Sequence, residues 1–245
     1  MVASIVVYVC LVALLAGVVL TLKPSARLGI TRRGALSVAC VALLVTVATL
    51  LAPTLESRAA GSPTRLDQFA SVWQFREVHT LRVAAPAARV FEAIRTVRAD
   101  EIRLFHTLTW VRRGGRTAPP GILNAGSTEP LLDVAARSGF VRLADEAPRE
   151  VVIGTVVVAP VGARGKLTPE VFQRTLPPGF ALATMNFLVT PDGLDASIVS
   201  TETRVFANSA AARRRFAVYW RLIYPGSAII RRMWLRAIER RAVRE

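Results

Sequence analysis

"PGSAIIRRMWLRAIERRA" runs from Pro225 to Ala242, close to the end of a chain of 245 residues. At about 100° per residue, Ile230, Met233, Trp234, Ala237 and Ile238 fall on one arc of a helix, with Arg232, Arg236 and Glu239 opposite. Upstream, Phe216, Tyr219, Trp220 and Ile223 make a similar arc. Burying one such side chain is worth about 1.5–3 kcal/mol, so the two arcs demand a partner surface. Pro225 lacks an N–H and predicts a kink or break between them, with Ser227 placed to cap the restarted helix.

The preceding chain supplies that surface. "VWQFREVHTLRV" (Val72–Val83) alternates as a strand does. Pro86 then suits a first helical position, and Val90, Phe91, Ile94 and Val97 repeat at helical spacing. Asp100–Arg113 keeps a mostly helical pattern, with a strand from Thr107 as the alternative, and "EPLLDVAARSG" reads as a short helix ending at Gly139. "FVRLADEAPREVVIGTVVVA" is two extended runs around a turn at Asp145–Pro148. "ALATMNFLVTPDGLDASIVSTETRVFA" is a hairpin turning at Pro191-Asp192-Gly193. A strand, helices, a row of strands and a terminal helix in that order predict an α+β fold with an antiparallel sheet.

The N-terminus has a different composition. Met1–Leu22 has no charged side chain, and neither does Ala35–Ala52. Both approach the length needed to cross a hydrocarbon core of about 30 Å. The expectation is a transmembrane α-hairpin over residues 1–53, with helices at about 2–22 and 35–52, then a polar linker at 54–68 and a folded domain at 69–245. A cleaved signal peptide is the alternative for the first stretch, although the second would still anchor the chain. Lys23, Arg27, Arg32 and Arg33 lie between the two stretches, and the N-terminal tail has no such charge. That bias predicts a two-pass protein of the cell membrane with a cytoplasmic loop and an extracytoplasmic C-terminal domain. Cys10 and Cys40 fall at different depths of the hairpin, so no disulfide is expected.

The order of elements, the entry "APAARVFEAI" (Ala85–Ile94) and the terminal "FAVYW…WLRAI" helix resemble the START-related helix-grip superfamily (SRPBCC), which includes polyketide cyclase/aromatase-like proteins. The resemblance implies a seven-stranded sheet gripping the C-terminal helix around a hydrophobic cavity. It also implies a lipid, sterol, polyketide or other apolar ligand. Phe216, Trp220, Ile223, Ile230, Met233 and Trp234 are the candidates for its lining, unless the same side chains close a solid core.

Candidates for chemistry are few. Glu77 and His79 are two apart on a strand, hence on one face, and suit general acid–base work. Glu202 and Arg204 also share a face; Arg204 would hold a carboxylate or phosphate if that face looks inward. His106 lies in an apolar helical pattern and reads as a structural or surface residue. No metal-ligand spacing, dinucleotide fingerprint or G-x-S-x-G elbow is present. "GARGKLT" lacks the first glycine of a phosphate-binding loop, because Pro160 stands in its place. No cofactor and no metal are expected.

The chain carries a formal net charge of +15, and ten arginines against two glutamates lie from Asn208 onward. With no recognition motif and an apolar anchor, nucleic acid is not the expected partner. Anionic lipid head groups of the bilayer are one account of the charge; solubility together with base composition, given 30 Arg and 2 Lys, is the other. Three functions fit the sequence: a membrane-anchored, non-enzymatic binder of a hydrophobic small molecule; a cyclase/aromatase-type enzyme using Glu77 and His79 or Glu202; and a ligand-free structural or interaction domain.

Overall fold

The computed structural model describes residues 2–24, 29–61, 64–163 and 167–244. Arg27 of the basic loop and Arg164–Lys166 of "GARGKLT" therefore lie outside the described residues. The chain divides into two compact units, one of Met1–Thr54 with Ala217–Pro225, the other of Leu55–Phe216 with Gly226–Glu245.

The larger unit is α+β and helix-grip-like. Its main sheet has five antiparallel strands: β3 (Phe75–Val83), β4 (Phe140–Glu146), β5 (Glu150–Val158), β6 (Ala181–Pro191) and β7 (Ser197–Ala207). They lie in the order β3-β7-β6-β5-β4. The hairpin β6–β7 pairs Ala181 with Ala207 and Pro191 with Ser197, and Gly193 supplies the positive φ at its tip. Two short strands, β1 (Ser57–Arg58) and β2 (Val72–Trp73), pair separately. The seven-stranded single sheet implied by the resemblance is thus corrected to a five-stranded sheet and a two-stranded ribbon among the described residues. Residues 54–68, expected as linker, carry β1 and most of the short helix α3 (Arg65–Phe69).

Alternation gives the sheet two faces. Leu81, Val83, Val151, Ile153, Met185, Phe187, Val189 and Val199 turn to one side and join a single apolar core. Helices α4 (Ala87–Thr96) and α6 (Leu131–Arg137) supply Val90, Ile94, Leu131 and Leu132 to it. The terminal helix α7 (Ala210–Arg244) supplies Trp234, Leu235 and Ile238. The stretch from Phe105 to Arg112 is helix α5, so no strand begins at Thr107.

Helix α7 runs through Pro225 without interruption, against the expected break. A proline in a helix interior loses one hydrogen bond, and burial on both sides of it outweighs that loss here. Ser227 is therefore interior to the helix and does not cap it.

In the smaller unit, α1 (Val2–Leu22) and α2 (Arg32–Leu51) form an antiparallel pair. Ala35, Ala39, Ala42 and Thr46 make a seam of small buried residues on α2. A Cβ at Gly17 of α1 would come within 3.0 Å of Ala39, so the two backbones touch there. Thr31 caps α2 by accepting a hydrogen bond from the Gly34 N–H. At its other end Arg221 donates to the Leu50 and Ala52 carbonyls, both at 2.7 Å. Both helices are long and apolar enough to cross a membrane by length and composition. Cys10 and Cys40 are free thiols.

Candidate functional site

β3 is amphipathic in an unusual sense: its core-facing side begins apolar with Phe75, turns polar at Glu77 and His79, and ends apolar at Leu81 and Val83. The register sets Glu77 opposite Thr203 and His79 opposite Thr201 on β7. Phe75 meets Phe216 of α7 edge-on at 4.9 Å. At the far end Phe187 meets Trp234 edge-on at 4.9 Å. Between these aromatic contacts lies a small polar cluster.

Glu77 is 3% exposed. Its Oε2 accepts a hydrogen bond from Ser227 Oγ at 2.9 Å, and its Oε1 lies 2.9 Å from His79 Nε2. A carboxylate in that position favours the Nε2–H tautomer and leaves Nδ1 as the basic nitrogen. Arg231, one helical turn beyond Ser227, donates to Thr201 Oγ1 across 3.5 Å. Its guanidinium also lies 5.8 Å from the Trp234 ring centroid. Burial lowers the Arg231 pKa to about 10; the Glu77 charge opposes this and the Arg112 charge adds to it. Arg231 is still a cation at neutral pH.

This arrangement can bind an acceptor and can move a proton. It does not make a serine nucleophile, because Ser227 donates to the carboxylate and not to the imidazole that would have to take its proton. Among the described residues no group of three His, Cys, Asp or Glu side chains could hold a metal ion.

Glu77 and His79 are brought together as their spacing predicted. Ser227, Thr201 and Arg231 were missed, since they lie 120 or more positions away and only the fold unites them. Glu202 and Arg204 lie on the opposite face of the sheet. Arg204 donates to Asp67 Oδ1 and Glu202 Oε1, both at 2.6 Å, and to the Ala70 carbonyl at 2.9 Å. It also stacks 4.1 Å from the Trp73 ring centroid. Arg204 is held by its own neighbours and does not join the Glu77 cluster, nor does Glu202. His106 is exposed on α5.

The proposed lining residues divide. Trp234 is buried in the core, with Ile230 and Met233 packed at its edge. Phe216 lies in the same unit, against Phe75. Trp220 and Ile223 belong to the segment grouped with the hairpin, where Trp220 contacts Tyr224 edge-on at 5.7 Å.

Among the described residues, hollows lie away from this cluster, and two of them are notable. One, of about 350 Å³, lies on the opposite face of the sheet and is lined by Phe69, Phe172, Leu176, Phe180, Leu182 and Phe206 among others. The other, of about 370 Å³, is lined by Glu101, Arg240, Arg241 and Arg244.

No protein-family model matches the chain, and no curated protein matches it. Three solved structures illustrate what it is similar to. TTHA0849 from Thermus thermophilus is 11% identical over 69% of this chain and 98% of its own, with a TM-score of 0.29. Zhui aromatase/cyclase from Streptomyces sp. R1128 is 13% identical over 68% of this chain and 94% of its own, TM-score 0.28. The di-domain ARO/CYC BexL of the BE-7585A biosynthetic pathway is 14% identical over 86% of this chain and 58% of its own, TM-score 0.29. Scores this low leave the fold resting on the strand order, the register and the terminal helix described above.

Proposed function

We propose that this chain is a membrane-anchored helix-grip protein that binds a hydrophobic small molecule between its sheet and its C-terminal helix. One observation carries the reading. The contact between sheet and helix is apolar where Phe187 meets Trp234 of α7 but turns abruptly polar where Glu77, His79 and Thr201 of the sheet face Ser227 and Arg231 of α7. Ligand sites are mostly apolar walls with a few convergent polar groups, and a solid core has no use for an acid, a base and a cation.

The anchor rests on exposure. Val12, Leu15 and Leu44 are each at least 66% exposed on the hairpin, and most of its other large apolar side chains are also uncovered. At about 1.5–3 kcal/mol per side chain, water is an unsuitable solvent for that surface and hydrocarbon a suitable one. The charges of Lys23, Arg27, Arg32 and Arg33 support a cytoplasmic loop and an extracytoplasmic domain. The arginines around the Glu101 hollow suit anionic lipid head groups.

The test is to purify the whole chain in mild detergent, extract it with organic solvent and identify what co-purifies by mass spectrometry. A stoichiometric apolar molecule, lost in a His79→Leu, Ser227→Leu variant that still melts cooperatively, supports the reading. The same annular lipids in both proteins refute it.

A second reading, an enzyme of the cyclase/aromatase class, is favoured by the 2.9 Å contact between buried Glu77 and half-buried His79. There His79 takes or gives a proton on a bound carbonyl compound, and Glu77 orients it. Turnover of the co-purified molecule by wild type, abolished in His79→Ala, would convert the binder into an enzyme.

A further inference from the structure

Arg231 and Trp234 are donors with unused capacity, side by side on α7. A guanidinium has five N–H donors. Among the described residues Arg231 makes one hydrogen bond, the long one to Thr201, and no ion pair within 4.0 Å. Trp234 is 3% exposed, and its indole Nε1 is buried with no acceptor among the described residues. Buried donors in proteins are almost always matched, so an unmatched one calls for an explanation. The two are three positions apart, and the guanidinium carbon stands 5.8 Å from the indole ring centroid.

The acid of the cluster is not in the same condition. Both Glu77 oxygens are engaged, by Ser227 and His79. What is missing is an acceptor, not a donor. The neighbourhood limits its charge. Glu77 repels a second negative charge, while Arg231 and the Arg112 charge that acts on it favour one. A single planar guanidinium matches the two oxygens of a carboxylate. The apolar side chains Ile230, Met233 and Phe187 border the donors and would cover the remainder of the molecule.

We infer that the ligand of the sheet–helix site is an apolar molecule carrying one carboxylate, received by the Arg231 guanidinium and the Trp234 indole N–H. This rests on the binding reading and names the ligand class within it. Arg231 sets the charge preference; Trp234 adds a directional hydrogen bond.

The experiment uses the full chain in a neutral detergent at neutral pH, with palmitic acid, methyl palmitate and hexadecanol competing against a radiolabelled palmitate probe, and labelled methyl palmitate as a second probe. The acid should bind about tenfold or more tightly than the ester. Arg231→Met should remove that preference, and Arg231→Lys should keep part of it. Trp234→Phe should weaken the acid by a few-fold only. Equal binding of acid, ester and alcohol by wild type overturns the carboxylate inference and leaves the binding reading standing. Binding of none of the three overturns both. Retention of the acid preference in a folded Arg231→Met protein overturns the role of Arg231.

Discussion

The two faces of the sheet both bury charge, and they treat it in opposite ways. Toward α3, Arg204 is matched by Asp67 and Glu202, a carbonyl and an aromatic ring, and Glu202 is shared with Arg76 at 2.7 Å. Toward α7, Arg231 has one long hydrogen bond, and the nearby Glu77 is bonded to other groups. A network in which each charge has an opposite partner fixes one arrangement. An under-matched one lowers stability, the usual mark of a site. The same residue type is scaffold on one face and a recognition group on the other, and the difference lies wholly in its partners.

The sharpest way to break that comparison is to remove each arginine in turn. Arg204→Met removes a buried cation, leaving Asp67 without its partner and Glu202 with Arg76 alone, and it should cost about 3–5 kcal/mol in a chemical-denaturation curve. If Arg204→Met is neutral, the network on that face is not what holds it.

The second expected effect belongs to the same face. A Cβ at Gly154 would come within 2.6 Å of Phe172 and 2.8 Å of Leu143. Gly154→Val should therefore cost about 1–3 kcal/mol through overpacking, read as a lowered midpoint with an unchanged slope.

Acid titration sharpens the contrast. Burial alone would raise Asp67 and Glu202, but hydrogen bonds from Thr64 and Arg204 to the first, and from Arg76 and Arg204 to the second, hold both below their ordinary values. Carboxylates depressed by folding give stability that is complete above the unfolded pKa and fades as pH falls through the folded one. Wild type should lose stability progressively once pH drops below the ordinary glutamate value of 4.5. Arg204→Met should show a flatter acid limb in the same thermal scans.

The smallest effect is expected on the other face. Arg231 is a base depressed by burial, so its charge opposes folding below about pH 10 and that opposition is relieved above it. Arg231→Met should melt within about 1 kcal/mol of wild type or above it, while changing ligand preference. A collapse in stability would make Arg231 scaffold after all.

Much of the fold was legible, for reasons that can be named. The strand over 75–83, the turn at Pro148, the hairpin over 181–207 and the helix ending at Gly139 follow from period-two alternation, turn residues and glycine punctuation, all local signals; the single strand expected over 72–83 instead divides at Gln74, because Val72–Trp73 pairs with β1. The continuity of α7 through Pro225 was not legible: the local rule says break, and packing far along the chain overrides it. The site was half legible. Glu77 and His79 share a face because a strand repeats every two residues. Ser227 carried a local signal, but for a helix cap, and it became a partner of Glu77 only when α7 stayed whole. Arg204 and Arg231 look equivalent as letters. Which of them has a charged partner depends on Asp67 and Trp73 arriving from elsewhere.

One contact on the outer face bears on the order of events during folding. The buried carboxylate of Glu150 accepts hydrogen bonds from the Arg65 and Leu66 backbone N–H groups at 2.8 and 3.2 Å, and from Asn186 at 2.7 Å. A helix of five residues has no independent stability, even with the Thr64–Asp67 capping box. Its first turn is completed by a side chain more than eighty positions later, on a strand that must already be paired with β6. α3 is thus a late arrival, and its amide protons should exchange with deuterium no more slowly than the β5–β6 ladder opens, making that short helix a reporter on the integrity of the sheet beneath it.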